Sequence, residues 1–156
     1  MSAKPMEPRD PDWDKKVRAS FARQTFMDTI GGRLAALSPG YCEVELPFRR
    51  DLCQQNGYLH GGVITSIAAN AAGYAAFSLM PPNSSVLGVE YKVNLLEPAA
   101  GERFIAKGRV LKAGRTLSTV ECEVDAESAG KRTLVAKVLM TAMCLEGIPD
   151  VIRYGN

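Results

Sequence analysis

The hydrophobic pattern of this chain changes period twice, and each change marks an element. Between Asp12 and Asp28, Val17, Phe21 and Phe26 fall on one side and Lys15, Lys16, Arg18 and Arg23 on the other, which predicts an amphipathic helix. Gly31-Gly32 ends it. Arg33–Leu37 is a short strand candidate, Ser38-Pro39-Gly40 a turn, and Tyr41–Leu46 alternates as a half-exposed strand does. Phe48–Leu59 is polar and irregular, and is expected to be a loop. His60–Met80 is largely small and apolar and is stopped by Pro81-Pro82-Asn83. A helix apolar all round lies inside a fold or between subunits. Everything after it reads as strand: Val86–Leu96, Arg103–Leu111, Thr116–Val124 and Thr133–Leu145.

This order predicts the α+β class, with one curved antiparallel sheet wrapped around the long helix. The sheet covers one side of the helix, and a second subunit is the simplest cover for the rest. The expected organisation is a loosely held N-terminal segment over 1–11 and a single domain over 12–156, with an N-terminal helix at 12–30 and a core at 33–147.

Composition narrows the function. A chain of 156 residues, 46% hydrophobic, fits one domain. A formal charge of +2 gives no electrostatic case for nucleic acid. Four scattered cysteines and one histidine exclude a zinc finger and favour free thiols in a cytoplasmic setting. The polar, proline-broken start has no apolar h-region, so no secretory leader is expected. Gly61–Val89 carries no charge, yet Thr65, Ser66, Asn70 and Ser78 interrupt it; burial against protein suits it better than lipid, and no membrane association is expected. There is no G-x-S-x-G elbow, no G-x-G-x-x-G after a strand, and Gly108–Thr116 has the wrong spacing for a P-loop. No metal site is expected.

Chemistry concentrates in Gln54-Gln55-Asn56-Gly57-Tyr58-Leu59-His60-Gly61-Gly62. Polar loop residues run into two glycines that open the long helix. A helix N-terminus offers unpaired N–H groups and a partial positive charge, and glycine lets a ligand atom approach the backbone. Such a place suits a carbonyl oxygen that becomes an oxyanion during acyl transfer. The glycines equally permit tight packing with no ligand. His60 reads as a general base, as an orienting donor, or as an imidazole bonded to loop backbone.

This run to Ala76, with Val89-Glu90-Tyr91-Lys92-Val93-Asn94-Leu95-Leu96-Glu97-Pro98-Ala99 and Gly108-Arg109-Val110-Leu111-Lys112-Ala113-Gly114-Arg115-Thr116, resembles the hot-dog-fold acyl-CoA thioesterases of the PaaI-like (phenylacetate-degradation) group. The resemblance extends over about Leu34 to Met143 and implies a hot-dog fold, pairing into dimers or dimers of dimers, and active sites between subunits. It implies hydrolysis of an acyl-CoA thioester with no separate cofactor, since the CoA moiety belongs to the substrate. It places the thioester oxygen at the Gly61 N–H, with Gln54, His60 and Asn70 as further catalytic candidates. CoA contacts are expected from Gly62, Gly88, Val89, Glu90, Lys112, Gly114, Arg115 and Thr116, although the basic turn also reads as a solvated hairpin.

The pattern departs from that group at its helix carboxylate, nine residues after the histidine, where this chain has Ala69. Gln54 stands where the loop asparagine is usual, and Gly88 where a serine or threonine is sometimes found. Glu90 turned inward or His60 acting as base would restore activity. The alternative is a protein that binds acyl-CoA with little or no turnover. A hydratase needs a histidine–carboxylate pair on the acyl chain and is poorly supported.

Overall fold

The computed structural model describes residues 6–151. Two short helices, α1 (Trp13–Phe21) and α2 (Thr25–Ile30), precede strands β1 (Arg33–Ser38) and β2 (Tyr41–Pro47). A 3-10 turn at Arg50–Leu52 leads to the long helix α3 (Gly61–Phe77), followed by β3 (Ser84–Leu95), β4 (Arg103–Ala113), β5 (Leu117–Ser128) and β6 (Lys131–Glu146). The six strands form one sheet in the order β1-β2-β4-β5-β6-β3, every neighbouring pair antiparallel. This is the α+β architecture that the periodicity predicts.

α3 lies against the inner face of the sheet. Ile64, Ile67, Ala68, Ala71, Ala72, Ala75, Ala76 and Phe77 are buried, against inward positions such as Val44, Phe104, Ala106, Val120, Val124 and Val138. The small residues explain the close approach. A Cβ on Gly108 of β4 would stand 2.4 Å from the Ala71 carbonyl oxygen, so only glycine fits beneath the helix there.

Three expectations change. The single helix over 12–30 is two, because Gln24 leaves the helical region with extended backbone. Its neighbourhood is used elsewhere: Gln24 Nε2 donates to Tyr74 Oη at 2.7 Å, and Arg23 pairs with Asp150 at 2.6 Å. The described part of the segment over 1–11 is tied down rather than loose. Asp10 is buried and pairs with Lys16 at 3.0 Å, and Lys16 Nζ also donates to the carbonyls of Met80 and Pro81. Burial opposes ionisation of Asp10, but Lys16 and the Asp12 N–H prevail and hold its carboxyl below the ordinary value. Residues 1–5 lie outside the described residues. Finally, the C-terminal strands run longer than the alternation indicates, their polar ends being paired by backbone and by the Arg132–Glu127 ion pair: Lys131 meets Ser128 around a turn in which Ala129 and Gly130 both have positive φ.

β3 is the feature that bears on function. It is an edge strand of twelve residues, bonded only to β6, and Leu87, Val89, Tyr91 and Leu95 on it are exposed. A long apolar edge is a ready template for another strand. Val89 sits in a bulge between Gly88, opposite Ala142, and Glu90, opposite Thr141.

Candidate active site

The loop before α3 is a small self-bonded unit. Cys53 bridges to Leu59, the Gln54 N–H donates to Tyr58 O at 2.9 Å, and the Gly57 N–H returns to Gln54 O at 3.0 Å. Gln54 Oε1 accepts from the Asn56 N–H. The His60 N–H is anchored on Leu52 O at 3.0 Å. These bonds fix where α3 begins.

At that start His60 is the N-cap. Its Nδ1 accepts from the Gly62 N–H at 2.9 Å. With Nδ1 used as acceptor, the neutral ring carries its proton on Nε2, so neither nitrogen is available to take a proton from substrate water while the cap stands. The structure thus gives His60 an orienting position, as cap of the helix. The Gly61 N–H, in contrast, bonds to nothing among the described residues. Gly61 lines a cleft of about 720 Å³ with Gln54, Tyr58, His60, Leu95, Leu96 and Pro98 among others. Gln54, His60 and Gly61 therefore share one place, as the loop motif suggests.

Asn70 does not share it. Nine residues along α3 separate it from Gly61, about 13 Å of axial rise. Asn70 lines a second cavity of about 440 Å³ with Ala69, Gly73, Tyr74, Gly88 and Tyr91. Its Nδ2 donates to Ser66 O at 3.0 Å, and its Oδ1 is buried with no donor among the described residues. An acceptor left bare in a protein costs about 1–3 kcal/mol, so this oxygen is suited to a ligand or a water. Asp150 also lines this cavity, but its carboxylate is committed to Arg23.

The remaining candidates are dispersed. Gly62 has its N–H occupied by His60. Gly88 lies in the second cavity, while Val89 is exposed in the bulge. Glu90 accepts from Thr141 Oγ1 at 2.9 Å, on the sheet face away from α3; the inward Glu90 is corrected to an exposed strand residue. Gly114 and Arg115 border a separate hollow with Met6, Arg9 and Leu79, and Lys112 is exposed on the same turn. Thr116 O accepts from the Cys144 N–H at 2.7 Å, and Cys144 pairs with Val86. The basic turn thus belongs to the Val86 end of β3, the end of the second cavity. Sequence reasoning missed Ser20, Arg23, Gln24 and Asp150 in that cavity. They come from α1, the link that follows it and a C-terminal segment remote in sequence, and no local signal pointed to them. The four cysteines are free, and burial pushes the Cys42 thiol up to about 12. No helix among the described residues is long and apolar enough to cross a membrane.

Comparison with known proteins gives the fold and the family. A putative esterase of Saccharolobus solfataricus is 36% identical over 87 residues, 56% of this chain and 61% of that protein, so the match spans less than two thirds of that relative. A 1,4-dihydroxy-2-naphthoyl-CoA hydrolase of Listeria monocytogenes is 28% identical over 101 residues, 65% of this chain and 82% of that protein. A thioesterase family protein from Silicibacter pomeroyi, 45% identical, superposes with a TM-score of 0.85 over 86% of this chain and 99% of that one. The PaaI protein of E. coli, at 17% identity, shares the fold with a TM-score of 0.79 over 90% of this chain and 99% of that one. Residues 56–139, more than half of the chain, match the family profile for the Thioesterase superfamily: with its sheet wrapped around α3 in the hot-dog manner, this chain belongs to that superfamily.

Proposed function

We propose that the chain hydrolyses acyl-CoA thioesters at a site built from two copies. The observation that carries this is that Gly61, whose N–H at the head of α3 has no partner among the described residues, lines a cleft. A relative that hydrolyses a CoA thioester supports the choice of leaving group.

One copy keeps its two cavities apart, both against the inner side of β3: one at Leu95, the other at Gly88 and Tyr91. Antiparallel pairing of two β3 edges about an axis beside Lys92 brings Leu95 of one copy opposite Val89 of the other. The Gly61 cleft of the first then adjoins the Asn70 cavity of the second. The thioester oxygen accepts from the Gly61 N–H. Water held by Asn70 Oδ1 adds to the carbonyl carbon, the C–S bond breaks, and CoA leaves as a thiolate that takes up the proton released by the water. A thiol of ordinary pKa, about 8.5, leaves readily, so the chemistry needs carbonyl polarisation most. Gln54 and His60 hold the loop and the helix start in place. Lys112 and Arg115, at the Val86 end of β3, flank the joined site as contacts for CoA phosphates.

Magnitudes predict a slow enzyme. An oxyanion donor contributes about 10²–10³-fold and a positioned base about 10²–10⁴-fold; the chain has the first and has Ala69 where the second would stand. A second reading is binding without turnover, favoured by Ala69 and by the commitment of Asp150 to Arg23. Thiol release from an acyl-CoA panel decides. Wild type is expected to turn over slowly, with Ala69→Asp raising kcat by about 10²-fold or more. Tight acyl-CoA binding with no release by wild type supports the second reading.

A further inference from the structure

The wall of the second cavity farthest from the Ala69–Asn70 step is polar in a way that neither folding nor thioester hydrolysis requires. Tyr74 is one helical turn beyond Asn70, on the same face of α3, and is only 4% exposed. Its Oη accepts from Gln24 Nε2 at 2.7 Å and shares a hydrogen bond with Ser20 Oγ at 3.2 Å. Ser20, 7% exposed, and Gln24 come from α1 and the break that follows it. All three line the cavity. A buried polar cluster of this kind stabilises little against an apolar replacement, yet it is held here by a break in the helix.

The floor between Asn70 and Tyr74 is Gly73. A Cβ there would meet nothing within 4 Å apart from its own helix. Glycine inside a helix costs about 1 kcal/mol relative to alanine, and here no steric reason requires it. Its effect is to keep open a channel along α3 from the reacting end to the phenol. The side walls are Val86, Tyr91 and Met140, so the channel is apolar in its middle and polar at its end. The Arg23 guanidinium at the rim is neutralised by Asp150, with a second bond of 2.8 Å to the Asp150 carbonyl. The end wall therefore offers hydrogen bonds without net charge. Burial holds the Tyr74 phenol above its ordinary value, with Ser20 and Gln24 pulling the other way, so it is a neutral donor and acceptor near pH 7.

We infer that this channel is a specificity pocket for an acyl group with an apolar body and an uncharged hydrogen-bonding end, a hydroxyl above all, received by Tyr74 with Gln24 and Ser20. The inference rests on the thioesterase reading and deepens it. A plain hydrocarbon acyl group leaves the cluster unpaired with substrate. A carboxylate-ended one brings a charge that the Arg23–Asp150 pair does not balance.

The test compares matched thioesters that differ by one terminal hydroxyl: hexanoyl-CoA against 6-hydroxyhexanoyl-CoA, and benzoyl-CoA against 4-hydroxybenzoyl-CoA. Wild type is expected to favour the hydroxylated member of at least one pair by tenfold or more in kcat/KM. Tyr74→Phe is expected to bring that ratio toward one, whereas a purely structural role for the phenol would lower both members alike. Gly73→Ala, which suits the helix better, is expected to raise Tm while lowering kcat/KM for the favoured substrate. A wild-type ratio near one in both pairs, or a ratio unmoved in Tyr74→Phe, overturns the inference and leaves thioester hydrolysis standing. If no thioester is cleaved, hydrolysis fails instead; the same pairs, as uncleavable thioether analogues, then give dissociation constants whose ratio is read in the same way.

Discussion

Two amides at the start of α3 meet different fates. Gly62 N–H is taken by His60 Nδ1, while Gly61, whose N–H has no partner among the described residues, lines the cleft. The histidine thus caps the helix start and leaves the Gly61 donor free for the proposed role. Asparagine is among the strongest N-caps, so His60→Asn is expected to change stability by less than about 1 kcal/mol and to keep most of the thioesterase activity. A thermal melt and a thiol-release assay check it. A fall of about 10²–10⁴-fold with an unchanged melt would restore the general-base role. The loop motif exposed these residues in the sequence because a polar run, one histidine and two glycines before a small-residue helix are all local signals. Asn70 was visible only as a polar break in an apolar helix, and its bare Oδ1 is a property of packing.

Elements were legible where periodicity is strong. Tyr41–Leu46 and Thr116–Val124 alternate because one face meets α3 and the other faces outward. The α1–α2 break was not legible, since Gln24 turns out of the helix to reach Tyr74, fifty residues away. Nor did the alternation reveal the bulge at Val89, which depends on pairing with β6. The packing of α3 on β4 makes a sharp prediction. A Cβ on Gly108 would stand 2.4 Å from backbone oxygen, where nothing flexible can yield. Gly108→Ala is expected to destabilise by about 1–3 kcal/mol, seen as a Tm lower by several degrees. An unchanged Tm would mean that α3 is not seated as tightly as described.

For the whole molecule, the proposed assembly rests on the edge of β3. A twelve-residue edge strand with Leu87, Val89, Tyr91 and Leu95 exposed on it is a poor surface for a lone chain. In the proposed dimer, pairing the edges covers them and joins the two cavities. Sedimentation at micromolar concentration is expected to give a dimer or a multiple of it; a strict monomer would leave Gly61 and Asn70 apart and remove the two-copy site.

The most direct test is one substitution at the first residue of α3. Proline is accepted at that position, and His60 already has φ −62 and ψ 135, the conformation that a following proline favours. Gly61→Pro therefore deletes the N–H with little strain, while Gly61→Ala keeps it and only presses a Cβ toward the Leu95 side chain at 2.9 Å. In an acyl-CoA thiol-release assay, Gly61→Pro is predicted to lose about 10²–10³-fold in kcat/KM relative to Gly61→Ala. Equal rates for the two variants would contradict carbonyl polarisation by the Gly61 amide.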